Sequence, residues 1–135
     1  MENNFKRLNN ITGWAVFVIA LIVYTLTLEP TVSFWDCGEF ISGAHKLEVV
    51  HPPGAPFFLL LGNVFITLFS FGNDARAAWS VNFMSGLSTA LAVLFLFWTI
   101  TNLAKRIIFK DGEITMPKIL VVLFAGIVGS LASTF

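Results

Sequence analysis

EPTVSFWDCGEFISGAHKLEVVHPPG, residues 29–54, is the stretch on which the reading of the whole chain turns. It holds four of the chain's eight carboxylates, both histidines and the only cysteine. Apolar segments stand on either side of it. A polar, acidic loop between segments that suit hydrocarbon is where soluble chemistry would meet lipid, so function is sought here.

Outward from this loop the composition sets the class. Of 135 residues, 56% are hydrophobic and 12% are charged, with a mean hydropathy of +0.82. Soluble domains carry about 25% charged residues. This deficit, with charge-free runs of roughly 18 residues or more, predicts an all-α integral membrane protein. The net charge is zero. No basic field therefore points to nucleic acid, and none is expected as a partner. Cys37, standing alone, excludes an internal disulfide and a cysteine-rich metal site.

Residues 11–28 carry no charge, and at about 1.5 Å per residue they nearly cross a hydrocarbon core of about 30 Å. No small-x-small cleavage site follows them, which argues against a signal peptide. Glu29-Pro30 ends this first span. Residues 36–50 read as a short interfacial helix, with Phe40, Ile41, Leu47 and Val50 apolar and Glu39, Lys46 and Glu48 polar. The turn at His51-Pro52-Pro53-Gly54 stops it.

Residues 55–71 are apolar again and could either cross or lie on the surface. Lys and Arg concentrate in short cytoplasmic loops. Lys6 and Arg7 mark the N-terminus as inside, and Lys105, Arg106, Lys110 and Lys118 form a second basic cluster. That cluster falls inside only if 55–71 does not cross. The expected layout is therefore a single membrane domain, 1–135, with spans at 11–28, 77–104 and 118–135. The external loop is 29–76, with interfacial helices at 36–50 and 55–71. Pro117 suits the first turn of the last span, and Gly126, Gly129 and Ser130 give that span a small-residue face. The chain stops inside an apolar run, so it is expected to be the N-terminal part of a larger protein.

Asp36 and Glu39 are three apart, on one helix face. A carboxylate beside a membrane is placed to act as a general base, since desolvation can raise its pKa toward neutrality. The same spacing also reads as a capping box, with Asp36 as N-cap and Glu39 reaching back. His51 can hydrogen-bond a phosphate or a hydroxyl from a turn stiffened by Pro52 and Pro53; the plain alternative is a helix-stop turn. Asp36, Glu39, His45 and His51 could together face a divalent metal, but no compact ligand spacing supports one and no metal is assigned. His45 reads as a residue of the polar face. Arg76 could pair with Asp74 or meet a lipid phosphate.

PTVSFWDCGEFISGAHKL, residues 30–47, followed by HPPGAPFFLLLGNVF, residues 51–65, resembles the N-terminal region of the transmembrane protein O-mannosyltransferase-like family. That family looks like a branch of the GT-C glycosyltransferases, multi-span enzymes with juxtamembrane helices in their first external loop. The resemblance implies transfer of a hexose, mannose in the first instance, from a polyprenyl-phosphate donor to a protein Ser or Thr hydroxyl. Asp36 would then be the base and Glu39 would orient it or bind acceptor. His51, Pro52, Pro53 and Arg76 would bind substrate, with His51 and Arg76 facing the donor phosphate. The implied partners are membrane lipid, the polyprenyl-phosphate sugar and a protein acceptor, with no cofactor beyond that donor. The expected location is a bacterial inner membrane with 29–76 periplasmic. The enzymes of this class have many more helices, so this chain by itself is expected to be inactive. The rival from another class is a non-catalytic assembly or transport subunit whose acidic loop binds a partner.

Overall fold

The computed structural model describes residues 1–134. Five α-helices follow in order: α1 Glu2–Thr27, α2 Cys37–Lys46, α3 Pro56–Phe69, α4 Ala77–Ile108 and α5 Met116–Leu131. A 3-10 turn, Asp74–Arg76, leads into α4. No strand occurs among the described residues. Residue 135, the end of the expected third span, lies outside the described residues.

Helix α1 begins nine residues before the expected span. Its polar first turns are held by an i,i+4 pair, Glu2 to Lys6 at 3.1 Å, and Glu2 suits the positive end of the helix dipole. Helices α1 and α4 are long and apolar enough to cross a membrane, counting the 3-10 turn with α4. Only 17% and 28% of their most apolar windows are buried within the protein. Most of their apolar surface is therefore turned outward, as in helices that face lipid. Helices α3 and α5 are shorter, 14 and 16 residues. At about 1.5 Å per residue they reach about 21 and 24 Å, short of a hydrocarbon core of about 30 Å.

The chain divides into two compact units. One comprises residues 1–24 and the chain from residue 88 onward. Its core is Phe5, Val16, Ala20, Ala90, Val93, Phe97, Ile119, Val122 and Leu123. Pro117 stands in the first turn of α5. The small face of that helix meets α4 at close range: a Cβ on Gly126 would lie 2.5 Å from Thr101 and 2.8 Å from Phe97. Ser130, fully buried, returns its hydroxyl to the Gly126 carbonyl at 2.7 Å.

The other unit, residues 25–87, holds α2, α3 and the start of α4 around Ile41, Ala44, Leu59, Ile66, Ala78, Val81 and Met84. Helix α2 ends four residues earlier than the pattern predicts. Leu47 turns left-handed at φ 54°, and the Glu48 N–H closes on the Gly43 carbonyl at 3.0 Å. Val50 then folds back and is buried over Gly43, where an added Cβ would meet it at 2.7 Å. The absent side chain at 43 is what lets the chain double back. Asn63 of α3 donates to the carbonyls of Ala44 (2.9 Å) and His45 (3.3 Å), which lie at the end of α2 and have no intrahelical donor.

Candidate functional site

The segment before α2 is laid along α4 by one amide. Asn82 Nδ2 donates to the carbonyls of Glu29 (2.9 Å) and Thr31 (3.2 Å). The Glu29 carboxylate in turn accepts from the Thr31 hydroxyl at 2.6 Å. Trp35, 95% exposed, takes a left-handed conformation at φ 65° and delivers Asp36 to the start of α2.

The capping box is not made. Asp36 occupies the N-cap position with helical dihedrals, φ −72° and ψ −4°, and its side chain forms no cap hydrogen bond. Helical dihedrals turn the carboxylate away from the amides that an extended N-cap residue would reach. Asp36 is also exposed, so the burial that would desolvate it is absent.

Glu39 does not reach back either; it reaches across to the proline turn. Its Oε1 accepts the His51 backbone N–H at 2.7 Å, and its Oε2 lies 2.8 Å from His51 Nδ1. The turn closes through Gly54 N–H to the His51 carbonyl at 2.9 Å. Gly54 sits at φ 72°, a conformation that glycine adopts without strain. The Pro52–Pro53 peptide is cis. The Phe40 ring stands edge-on to His51, with centroids 5.7 Å apart.

Electrostatics follow this contact. Hydrogen bonding to the His51 backbone, then to its ring, holds Glu39 below the usual carboxylate range. The Glu39 hydrogen bond and charge, with a smaller contribution from Asp36, raise His51 above the usual histidine value.

Asp36, Glu39 and His51 bring donor atoms within 4.8 Å of one another. Both Glu39 oxygens and His51 Nδ1 are already committed to each other, so the group stands as a hydrogen-bonded couple beside one free carboxylate rather than an open ligand shell. His45 is elsewhere. Its Nε2 faces Asp74 at 3.5 Å, and its Nδ1 is buried without a hydrogen-bond partner among the described residues.

Asp36 lies on the wall of an open, mostly apolar groove of about 540 Å³, with Phe40, Phe58, Val81, Asn82 and Ser85. Arg76 is not part of that groove. It stands over the Phe71 ring at 5.9 Å and lines a second depression of about 440 Å³ with Pro30, Phe69 and Trp79. The structure thus brings Asp36, Glu39 and His51 together, with Pro52 and Pro53 in the turn, and leaves Arg76 and His45 apart from them.

The sequence reading gave neither Asn63 nor Asn82 a role in holding a neighbouring segment. Their signal was there: an amide in an apolar helix needs partners, and Asn63 sits within PFFLLLGNVFITLF.

Comparison with known proteins gives the family. Residues 36–135 match the family described as Protein O-mannosyl-transferase TMEM260 N-terminal domain. The chain is 46% identical over 90 residues to the mouse protein O-mannosyl-transferase TMEM260, covering 67% of this chain and 12% of that protein. It is 38% identical over 85 residues to the Dictyostelium discoideum protein O-mannosyl-transferase tmem260, covering 63% of this chain and 10% of that protein. The chain therefore spans only about a tenth of the length of these relatives. No solved structure matches it. With the family matched over residues 36–135, from the free carboxylate through α5, the chain belongs to the TMEM260 N-terminal domain family of protein O-mannosyl-transferases.

Proposed function

We propose that this chain forms the N-terminal part of a membrane O-mannosyltransferase of GT-C type, which moves mannose from a polyprenyl-phosphate carrier to a protein Ser or Thr hydroxyl. The observation that carries the reading is Asp36: a carboxylate with no hydrogen bond to its side chain among the described residues, on an apolar groove, within 4.8 Å of a histidine held by Glu39. The relatives' names supply the reaction class.

The chemistry then divides among these residues. The acceptor oxygen attacks C1 of the sugar as its proton passes to Asp36. The bond from C1 to the acceptor oxygen forms, the bond from C1 to the phosphate oxygen breaks, and the electron pair leaves with the lipid phosphate. Both Glu39 oxygens are engaged with His51, so Asp36 is the one carboxylate of the pair left to react. A single base without a nucleophilic partner gives inversion at the sugar. His51 faces the phosphate from the rigid Pro52-Pro53 turn. Arg76, in its own depression, is a contact for a lipid phosphate at the bilayer surface.

Residues 29–76 are proposed to lie on the external face, periplasmic in a bacterium, with the N-terminus and the turn at Lys110 inside. The Lys and Arg distribution supports this, and so does the 14-residue length of α3, which is short for a crossing. The remaining helices of such an enzyme would complete the donor site.

The test is transfer by purified protein containing this region, reconstituted in liposomes with polyprenyl-phosphate mannose and a Ser/Thr peptide. Product that requires the lipid-linked donor and has the opposite anomeric configuration is expected. Transfer from a nucleotide sugar alone would overturn the reading. For topology, a cysteine placed at residue 112 in a Cys37→Ser background should react with an impermeant thiol reagent only from the cytoplasmic side. Labelling solely from outside would rule out this layout.

A further inference from the structure

We propose that Glu39 is a positioning residue for His51: its two carboxylate oxygens grip the backbone N–H and ring Nδ1, leaving Nε2 as the imidazole corner that meets the departing phosphate. The grip is read from geometry alone. Only the identity of the anion at Nε2 rests on the transferase reading.

One hydrogen bond to a ring nitrogen would leave the histidine free to swing about its side-chain torsions. Here one planar carboxylate holds two points of the same residue, at 2.7 and 2.8 Å, across twelve positions of sequence. Val50, buried just before His51, anchors the chain on that side, and the Gly54 N–H bond anchors it on the other. The edge of Phe40 restricts the ring plane. No hydrogen bond engages Nε2 among the described residues.

The donor and acceptor inventory then sets the proton positions. An ionised carboxylate only accepts, so Nδ1 must carry a proton. Neutral His51 therefore has its lone pair on Nε2, and charged His51 has N–H groups at both corners. A phosphate oxygen likewise only accepts from it, so it selects the charged form. The charged groups that act on His51 are Glu39 and Asp36, both acidic, and both favour that form. During transfer no proton moves between Glu39 and His51. The acceptor proton goes to Asp36, and the phosphate oxygen that gains the electron pair accepts the Nε2–H hydrogen bond.

The chain has only two histidines, which makes the proton position measurable. Imidazole nitrogen NMR of the histidine-labelled chain in lipid nanodiscs, assigned with His45→Gln, should show neutral His51 protonated at Nδ1. In Glu39→Gln the side-chain amide can donate to Nδ1, and the proton should move to Nε2. An Nε2–H tautomer in the unsubstituted chain would overturn the proposal whatever the activity. In the reconstituted transfer assay, Glu39→Ala, which removes both points of the grip, should lower kcat by about 100-fold, the scale of a misplaced group. The double variant Glu39→Ala/His51→Gln should be no slower than His51→Gln alone, because Glu39 acts through His51. Losses that multiply would give Glu39 a direct role and overturn the proposal. If the tautomer is as expected but no lipid-linked sugar is transferred, the transferase reading fails and the grip stands.

Discussion

The two units of this chain solve different problems with different residues. In the unit of residues 1–24 and 88 onward, helices meet through small residues and apolar side chains, and the charged residues lie near helix ends or in the turn before α5. In residues 25–87 the helices α2 and α3 are short, and polar contacts join residues far apart in sequence. Asn82 holds Glu29 and Thr31, Asn63 holds the end of α2, and Glu39 holds His51. The first arrangement suits a hydrocarbon surrounding, in which packing rather than the hydrophobic effect joins helices. The second fixes side chains at chosen positions, as a reacting site requires. Chemistry is expected to fail when the second is disturbed, and quantity of folded protein when the first is.

Short of Asp36 itself, the largest effect is expected at the turn that carries His51. Replacing Pro52 and Pro53 together by Ala should lower transfer by about 100-fold, through misplacement of His51, with little change in the amount of protein in the membrane. A matched fall in both would make the turn purely structural. In the other unit, Gly126→Val should act in the opposite sense. The new side chain meets Thr101 and Phe97 at 2.5 and 2.8 Å. Such overpacking costs about 1–3 kcal/mol. Thermal stability and yield should fall, while turnover per folded molecule stays the same; reduced turnover at normal yield would erase the distinction between the units.

The smallest effect is a pH dependence confined to residues 25–87. The folded state lowers Glu39, so that group stabilises above its ordinary value of 4.5 and loses its contribution as pH falls through the lowered value. It raises His51, which stabilises below its ordinary value of 6.5 and loses its contribution as pH rises through the raised value. The couple is therefore complete between 4.5 and 6.5 and loosens on both sides. The His51 amide, donor to Glu39, reports it directly. Its hydrogen-exchange protection, corrected for intrinsic rate, should peak in that window. Protection independent of pH would contradict the coupling.

The same contrast explains what could be read from the sequence. The apolar runs foretold the helices α1, α4 and α5, since hydropathy and the first-turn Pro117 are local signals. The start of α1 at Glu2 was missed because a polar turn stabilised by an i,i+4 pair has no hydropathy signature. Asp36, Glu39 and His51 could be picked out as ionisable residues of one loop, and the structure brings them together. Their arrangement could not be read, because spacing suggested that Glu39 would serve the start of its own helix. The competing partner lay twelve residues on, brought back by the left-handed Leu47 and by the space above Gly43. Arg76 looked equivalent to His51 as a phosphate contact, and only the fold places it in a depression separate from the groove of Asp36.

The most direct test of the account is sugar transfer by Asp36→Asn, normalised to protein in the membrane. The Asp36 side chain makes no capping hydrogen bond, so the amide leaves the start of α2 intact while removing the carboxylate's charge and its ability to take a proton. Insertion and yield should match the unsubstituted protein, and transfer from polyprenyl-phosphate mannose should fall by about 100- to 10,000-fold. Transfer at the unsubstituted rate would contradict the assignment of Asp36 as the base and, with it, the reading of residues 29–54 as the reacting site.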